Sequence, residues 1–252
     1  LPPKKEKKKP RRDHWNSPDG KWRAFLRDHN LWVREMKGKA EVQLSRDGRD
    51  KDRYEGNIRW SPDSRYIGIT RRRHVDGRRV QYVESSPRKQ LQPKHFTRGY
   101  AKPGDELPTQ TVHVFEATRE GKHLTVNPAL VKDPFETRHL QWRPDSTGVL
   151  FEHIERGFGA HRVVEILVPS GKSRALIDEV AETFVFVFGN SYRKDLNGLK
   201  EIIWRSERDG WNHLYLYDGL TGRVKNQITK GKWVVRSVVA VDEAKRQITF
   251  KA

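Results

Sequence analysis

One phrase recurs along this chain and constrains its fold more than any other feature. Trp15-Asn16-Ser17-Pro18-Asp19-Gly20 returns as Trp60-Ser61-Pro62-Asp63-Ser64 and again as Trp142-Arg143-Pro144-Asp145-Ser146. The first two tryptophans stand 45 positions apart, about the length that four short strands and their turns occupy. Repeats of that period belong to propellers and solenoids. The expectation is an all-β chain, a β-propeller of four-stranded antiparallel blades.

Each part of the phrase has a physical role. Proline fixes φ and suits the first corner of a tight turn, and Asp-Gly or Asp-Ser completes it. The tryptophan ends one strand, and the next strand begins just after the turn. Trp22-Arg23-Ala24-Phe25-Leu26, Tyr66-Ile67-Gly68-Ile69 and Val149-Leu150-Phe151 carry the aromatic and β-branched residues and the period-two alternation of strands. The alternative is an ordinary β-sandwich with three unrelated turns. The repeated order of strand, turn, strand and Asx or Gly turn favours the propeller.

The pattern divides the chain. Residues 1–13 read as a basic disordered tail, in which Lys4, Lys5, Lys7, Lys8, Lys9, Arg11 and Arg12 are opposed only by Glu6. Residues 14–252 read as a partial propeller of about four to five blades: 14–48, 58–130 with an insertion at 83–110, 138–177, 184–230, and an incomplete blade at 233–252. Residues 49–57 read as a polar connector. The interval from Trp60 to Trp142 is nearly twice the first, and the insertion accounts for the surplus. Long excursions from a regular fold tend to carry function or cover a neighbouring surface. Because a closed propeller needs at least four complete blades, a chain that halts inside a blade reads as part of something larger.

Composition excludes several chemistries. With no cysteine, disulfides, thiolate metal sites and cysteine nucleophiles are ruled out. No apolar run approaches the roughly 20 residues a spanning helix requires. The absence of an Asn-x-Ser/Thr sequon favours a periplasmic or secreted bacterial protein, and zero cysteine suits the cytoplasm equally. The formal charge of +18 raises nucleic acid as a partner, through the tail and through Arg71, Arg72, Arg73, Arg78 and Arg79. A solvated tail is the preferred reading. No Walker or dinucleotide glycine motif is present. The ten histidines show no close ligand spacing, and His139, His153 and His161 are not read as a metal site. No cofactor is expected.

The fourth blade carries the most specific motif. Trp204-Arg205-Ser206-Glu207-Arg208-Asp209-Gly210-Trp211-Asn212-His213-Leu214-Tyr215-Leu216-Tyr217, followed by Gln227-Ile228-Thr229-Lys230-Gly231-Lys232-Trp233, closely resembles a blade signature of the dipeptidyl-peptidase IV N-terminal propeller, found in S9B prolyl-oligopeptidase-type serine peptidases. Tyr100-Ala101-Lys102-Pro103-Gly104-Asp105 is similar to another segment of that family. The Trp-Ser-Pro-Asp turns fit as well, though TolB-like propellers also carry them. The resemblance spans residues 14–252. It implies an eight-bladed propeller that caps an α/β-hydrolase domain and admits short peptides to a Ser-His-Asp triad. It also implies a homodimer in the full-length protein. The chain holds no Gly-x-Ser-x-Gly elbow, so no catalytic residue is nominated here. The partners implied are a peptide substrate and a C-terminal hydrolase domain of the same parent chain. The alternative is a non-catalytic TolB-like scaffold propeller that binds a protein partner.

In that family the propeller contributes adjacent glutamates that hold the substrate's α-ammonium by charge-assisted hydrogen bonds. No Glu-Glu pair precedes Trp60 here, where isolated acids alternate with bases. Asp50, Asp52 and Glu55 are the candidates to replace the pair, and Glu84 in the insertion is a further substrate-binding candidate. For all four, a solvated surface acid is the plainer role. Glu207, Arg208 and Asp209 read as a charged turn bonded to its hairpin backbone, with Trp211 and Tyr215 packed between blades.

Overall fold

The computed structural model describes residues 15–252 apart from 39, 119, 120 and 190. The tail at 1–13 and the start of the first blade lie outside the described residues. The first sheet holds β1 (Trp22–Arg27), β2 (Asn30–Glu35) and β3 (Glu41–Gln43). The Ala24 N–H donates to the Trp15 carbonyl at 2.7 Å and Asn16 bridges to Arg23, so the first copy of the phrase lies beside β1. In the second blade, β4 (Asp52–Trp60) and β5 (Tyr66–Arg73) are followed by an outlying hairpin, β6 (Arg79–Glu84) and β7 (Lys94–Gly99). The chain then returns as β8 (Thr109–Glu116) and β9 (His123–Thr125), giving the sheet order β4-β5-β8-β9.

The third sheet runs β10 (Pro134–Trp142), β11 (Gly148–Glu155), β12 (Ala160–Leu167), β13 (Ser173–Val180). The fourth runs β14 (Arg193–Leu196), β15 (Glu201–Ser206), β16 (His213–Asp218), β17 (Val224–Gln227). A fifth holds β18 (Ser237–Asp242) and β19 (Gln247–Lys251). All pairings are antiparallel between chain neighbours, apart from the step over the hairpin. This is the partial propeller the repeat implies.

Several limits differ from the sequence reading. Asp52, Arg53, Tyr54 and Glu55, read as connector, belong to β4 and pair with Arg73, Arg72, Arg71 and Thr70. Diagonal ion pairs across the ladder, Asp52 with Arg71 and Glu55 with Arg72, stabilise a strand whose composition looks like a loop. The insertion occupies 74–108 rather than 83–110, and its ends form a regular hairpin. The third sheet is longer than 138–177. The fourth is shorter than 184–230, because 181–192 is a link between sheets. Trp233 precedes the fifth sheet instead of opening it, and its ring lies parallel to Phe250 with centroids 5.7 Å apart.

The hydrophobic cores lie between sheets. Leu31 and Val33 of the first blade pack with Ile58, Ile69 and Phe115 of the second. Val112, Val114 and Leu124 pack with Val149, Phe151 and Ile166 of the third. Leu150, Val163 and Ile177 pack with Ile202, Trp204 and Tyr217 of the fourth. Ile203 and Leu216 pack with Val241, Ile248 and Phe250 of the fifth. A middle strand is therefore apolar on both faces, and β11 and β15 are buried almost throughout.

The repeated phrase stitches these sheets together. Within each of the first two turns the serine accepts the first N–H of the next strand, Trp22 or Tyr66, at 2.9 Å, and donates to the turn aspartate. Between turns, the Asp19 N–H donates to Ser64 Oγ and the Asp63 N–H to Ser146 Oγ, both at 3.0 Å. The Trp60 indole donates to the Trp15 carbonyl at 3.0 Å, and the Trp142 indole to the Arg59 carbonyl at 2.8 Å. In the third copy arginine replaces serine. The buried Arg143 guanidinium pairs with buried Glu165 and donates to the Gly219 carbonyl of the fourth blade at 2.7 Å.

Trp142→Phe keeps an aromatic ring beside Tyr66 and removes the indole hydrogen bond to the Arg59 carbonyl. We expect a loss of about 1–3 kcal/mol, read as a lower denaturant midpoint at unchanged slope. Trp211→Phe, at a residue 41% exposed, should leave the midpoint in place.

Candidate functional site

The strands alternate direction, so each sheet has two ends, and the ends are unequal. One rim carries the Trp-x-Pro-Asp turns, locked to one another. The opposite rim, where β4, β10 and β14 begin, carries the base of the hairpin arm, the 181–192 link and the charged hairpin between β15 and β16. We call this the open rim. Most of the chain's unusual chemistry is found there.

At the second blade the open rim is a lattice of charges. Arg71 donates to Asp52 through Nε and Nη2, both at 2.8 Å, and also pairs with Asp47. Tyr54 donates to Asp47 at 2.9 Å. Burial and the Asp47 charge push the Tyr54 hydroxyl well above its ordinary pKa. Glu55 accepts from Arg53 Nε at 3.0 Å and lies 3.0 Å from His74 Nε2. Burial raises the Glu55 pKa, but these two hydrogen bonds outweigh it and hold the carboxyl below its ordinary range.

Asp50, Asp52 and Glu55 are thus brought to one end of β4, and their states differ. Asp52 is closed in a bidentate pair. Glu55 is half-buried and shared among Arg53, His74 and, at 3.9 Å, Arg72. Asp50 is 81% exposed, with Arg53 at 4.0 Å. Glu84 stands apart on the arm, exposed and opposite Lys94.

Beneath the rim, Tyr54 packs its ring on His113, whose Nδ1 lies 2.8 Å from His123 Nε2. Burial, then the neighbouring His123 and Arg71 charges, depresses His113 to about 4. At the third blade, buried Glu152 takes His161 Nε2 at 3.0 Å and His139 Nδ1 at 2.7 Å, with Arg193 Nη1 at 3.6 Å. Burial raises the Glu152 pKa, but the histidine hydrogen bonds and the Arg193 charge outweigh it and keep the carboxyl ionised. His153 instead meets the Lys132 carbonyl at 3.0 Å.

An apolar patch adjoins these charges. Phe135 at the start of β10, Phe158 in the β11–β12 turn and Phe188 in the 181–192 link meet edge to face, with centroids 4.8–6.3 Å apart. Phe186 and Phe184 extend the row. Phe184 is 56% and Phe188 52% exposed, so the rings are ordered by one another while facing outward. A cavity of about 210 Å³ opens beside them, lined by Phe184, Phe186, Ser191, Arg205, Ser206 and Arg208. A larger cavity of about 580 Å³ between the fourth and fifth sheets has a mixed lining, aliphatic from Ile203, Ile228 and Val241 and polar from Asn226, Asp242 and Gln247.

The charged turn at 207–210 is more than a local hairpin. Asp209 does cap it, accepting the Trp211 N–H at 3.1 Å. Arg208, however, reaches Glu179 of the third blade at 2.7 Å and stacks 4.6 Å over the Tyr215 ring. Tyr215 is buried between blades as expected, whereas Trp211 is largely exposed and does not pack there. The sequence reading placed Arg208 in a local charged turn and did not see its reach to Glu179, nor the aromatic row. Phe135, Phe158, Phe184, Phe186 and Phe188 are scattered over three segments, and only the alternation Phe184-Val185-Phe186-Val187-Phe188 hinted at them.

The histidine pair sets a pH dependence. His113 titrates lower in the folded chain than in the unfolded chain, so its contribution is complete above about pH 6.5 and is lost as pH falls toward about 4. We expect stability to drop by of order 2–3 kcal/mol over that window from this residue, and His113→Gln to flatten the drop. Urea midpoints at half-unit pH steps check this.

Among the described residues no helix is long and apolar enough to cross a membrane, and no group of three or more potential ligands is placed to hold a metal ion. A family model for the dipeptidyl peptidase IV (DPP IV) N-terminal region matches residues 2–252. The dipeptidyl peptidase 4 of Arthroderma otae is 25% identical over 198 residues, and that of Trichophyton equinum 23% over 197. Each alignment covers 76% of this chain and 25% of the relative, so the chain spans about a quarter of their length. The crystal structure of Porphyromonas gingivalis dipeptidyl peptidase 4 superposes with a TM-score of 0.63 at 19% identity, over 93% of this chain and 38% of that one. The chain belongs to the dipeptidyl peptidase IV N-terminal region family.

Proposed function

We propose that this chain is the N-terminal propeller portion of a dipeptidyl peptidase IV-like serine exopeptidase. Its role is to gate and position peptides for a hydrolase domain outside the chain. The observation that carries this reading is the asymmetry of the two rims. The turn rim carries its own hydrogen bonds, while the open rim presents a row of exposed phenylalanines at the third blade and the 181–192 link and, at the second blade, the ionised Glu55 carboxylate. Exposed apolar patches of this kind mark contact surfaces. A peptide bound there would meet apolar rings for its side chains and carboxylates for its ammonium.

Of the four acidic candidates, Glu55 suits the ammonium best. It is held ionised, it is half-buried, and its present cations are partly exposed side chains that an incoming ammonium can displace. Asp50 is a second, solvent-facing acceptor. Asp52, closed by Arg71, serves the fold. Glu84 on the arm is assigned to the surface.

The test is kinetic, on the full-length protein. Glu55→Gln should raise KM for peptides with a free N-terminus about tenfold and leave kcat within a factor of two. N-acetylated peptides should show no difference between the two proteins. Asp52→Asn should lower the melting temperature with little change in KM. Equal KM values for wild type and Glu55→Gln would remove Glu55 from the site, and absence of peptidase activity in the full-length protein would end the exopeptidase reading.

A further inference from the structure

The smaller cavity beside the 181–192 link has polar atoms in its wall that the peptide-handling reading does not use. Arg205 lines it and is 7% exposed. Its Nη1 and Nη2 donate to the Arg236 and Gly189 carbonyls, both at 3.2 Å, and its Nε has no partner. Among the described residues Arg205 also has no carboxylate at salt-bridge distance, whereas Arg143 has Glu165, Arg193 has Asp195 and Arg208 has Glu179. A buried charge without a counter-ion is costly. Burial pulls the Arg205 guanidinium below its ordinary pKa, although the Glu207 charge opposes this. Two more atoms in residues of the same wall are buried and unmatched, the Trp204 indole Nε1 and Asn212 Oδ1, in side chains 1% and 2% exposed.

These atoms specify what would satisfy them. Arg205 Nε and Trp204 Nε1 are donors and call for a negatively charged acceptor, while Asn212 Oδ1 calls for a donor. Water would satisfy all three and still leave the guanidinium without a counter-charge. The charges already in the wall decide between an anion and a zwitterion. Arg205 and Arg208 are balanced in number by Glu179 and Glu207, and Glu179 accepts from Arg208 and from the Ser206 hydroxyl. A net anion would upset that balance, whereas a neutral molecule with separated charges keeps it. The rest of the wall is apolar, from Val180, Ala181 and Val185 to the rings of Phe184 and Phe186. At about 210 Å³ the space equals about seven waters and falls below the roughly 300–1,000 Å³ of drug-sized sites. We propose that this cavity binds a free aliphatic α-amino acid. Its carboxylate meets Arg205 and Trp204, its ammonium meets Asn212, and its side chain lies against Val185 and the phenylalanines. The site is separate from Glu55 at the second blade, and the inference does not depend on the exopeptidase reading.

Calorimetric titration of the full-length protein with L-leucine should give a saturable one-site isotherm. Isocaproate, which lacks the ammonium, and isoamylamine, which lacks the carboxylate, should each bind at least about tenfold more weakly. Ala181→Phe fills the apolar wall without removing any of the three polar atoms, and it should abolish the heat with an unchanged circular dichroism spectrum. Arg205→Lys keeps the charge and loses Nε, so it should weaken leucine binding about tenfold. The rise in thermal midpoint that leucine gives the wild type should be absent in Ala181→Phe and reduced in Arg205→Lys. No saturable heat with leucine up to about 20 mM would overturn the proposal. So would either analogue binding as tightly as leucine, or both variants binding leucine as well as wild type.

Discussion

The structure depends on one repeated interaction, the hand-off of hydrogen bonds from each inter-strand turn to the next blade. A propeller sheet has little local reason to sit at any particular angle to its neighbour, since apolar packing is non-directional. Direction comes from the Trp60 and Trp142 indoles, each donating to a backbone carbonyl of the preceding blade. It is reinforced by Ser64 and Ser146, each accepting a backbone N–H from the preceding turn. These donors and acceptors are buried or half-buried, so leaving one unmade costs more than making it contributes. That asymmetry fixes the spacing of the blades, and with it which side chains converge at the opposite rim.

Charge is the second constraint. A third of the residues are charged, and between packed sheets such groups are tolerated only when paired. The chain meets this by spanning its sheet boundaries with arginine. Arg143 joins Glu165 to backbone carbonyls of the fourth blade, Arg193 brings the fourth blade to Glu152, and Arg208 ties the fourth blade to Glu179. Removing one member of such a pair leaves a buried charge alone, which is worse than never having buried it. The arm is the contrast. Arg78 at its base pairs with Asp105, but among the described residues Arg88, Lys89, Lys94 and Arg98 farther out have no carboxylate partner, so these cations hold no sheets together.

The fold was legible because its signal is a phrase with a period. Trp-x-Pro-Asp marks the ends of β4 and β10, and the aromatic and β-branched runs after it begin the middle strands β5 and β11, buried there on both faces. The polar strand at 52–55 was not legible. Its stabilising partners, Arg71, Arg72 and Arg73, lie on the next strand, and period-two reasoning looks for apolar residues. The site was legible only in part, for the same reason. Asp50, Asp52 and Glu55 are close in sequence and could be nominated together. Their separate fates were decided by Arg71 and His74 across the ladder. The phenylalanine row, assembled from three segments, exists only in the folded chain.

The two rims carry different amounts of freedom, and this is what makes the open rim suitable for binding. On the turn rim, strand-to-strand connections are four to six residues long, and the first three Pro-Asp turns are hydrogen-bonded to one another, so a change there disturbs blade spacing. On the open rim the connections vary from the two residues between β1 and β2 upward, and the chain can place a 35-residue excursion at 74–108 and a 12-residue link at 181–192 without altering the sheets they join. Loop-closure cost grows only slowly with length, so insertions on that side are cheap once the blades are set by the other. Substitutions and insertions on the open rim therefore disturb blade spacing less than changes in the turn phrase. This is consistent with a chain that keeps the architecture of its relatives at about a quarter identity or less and yet lacks paired glutamates before Trp60.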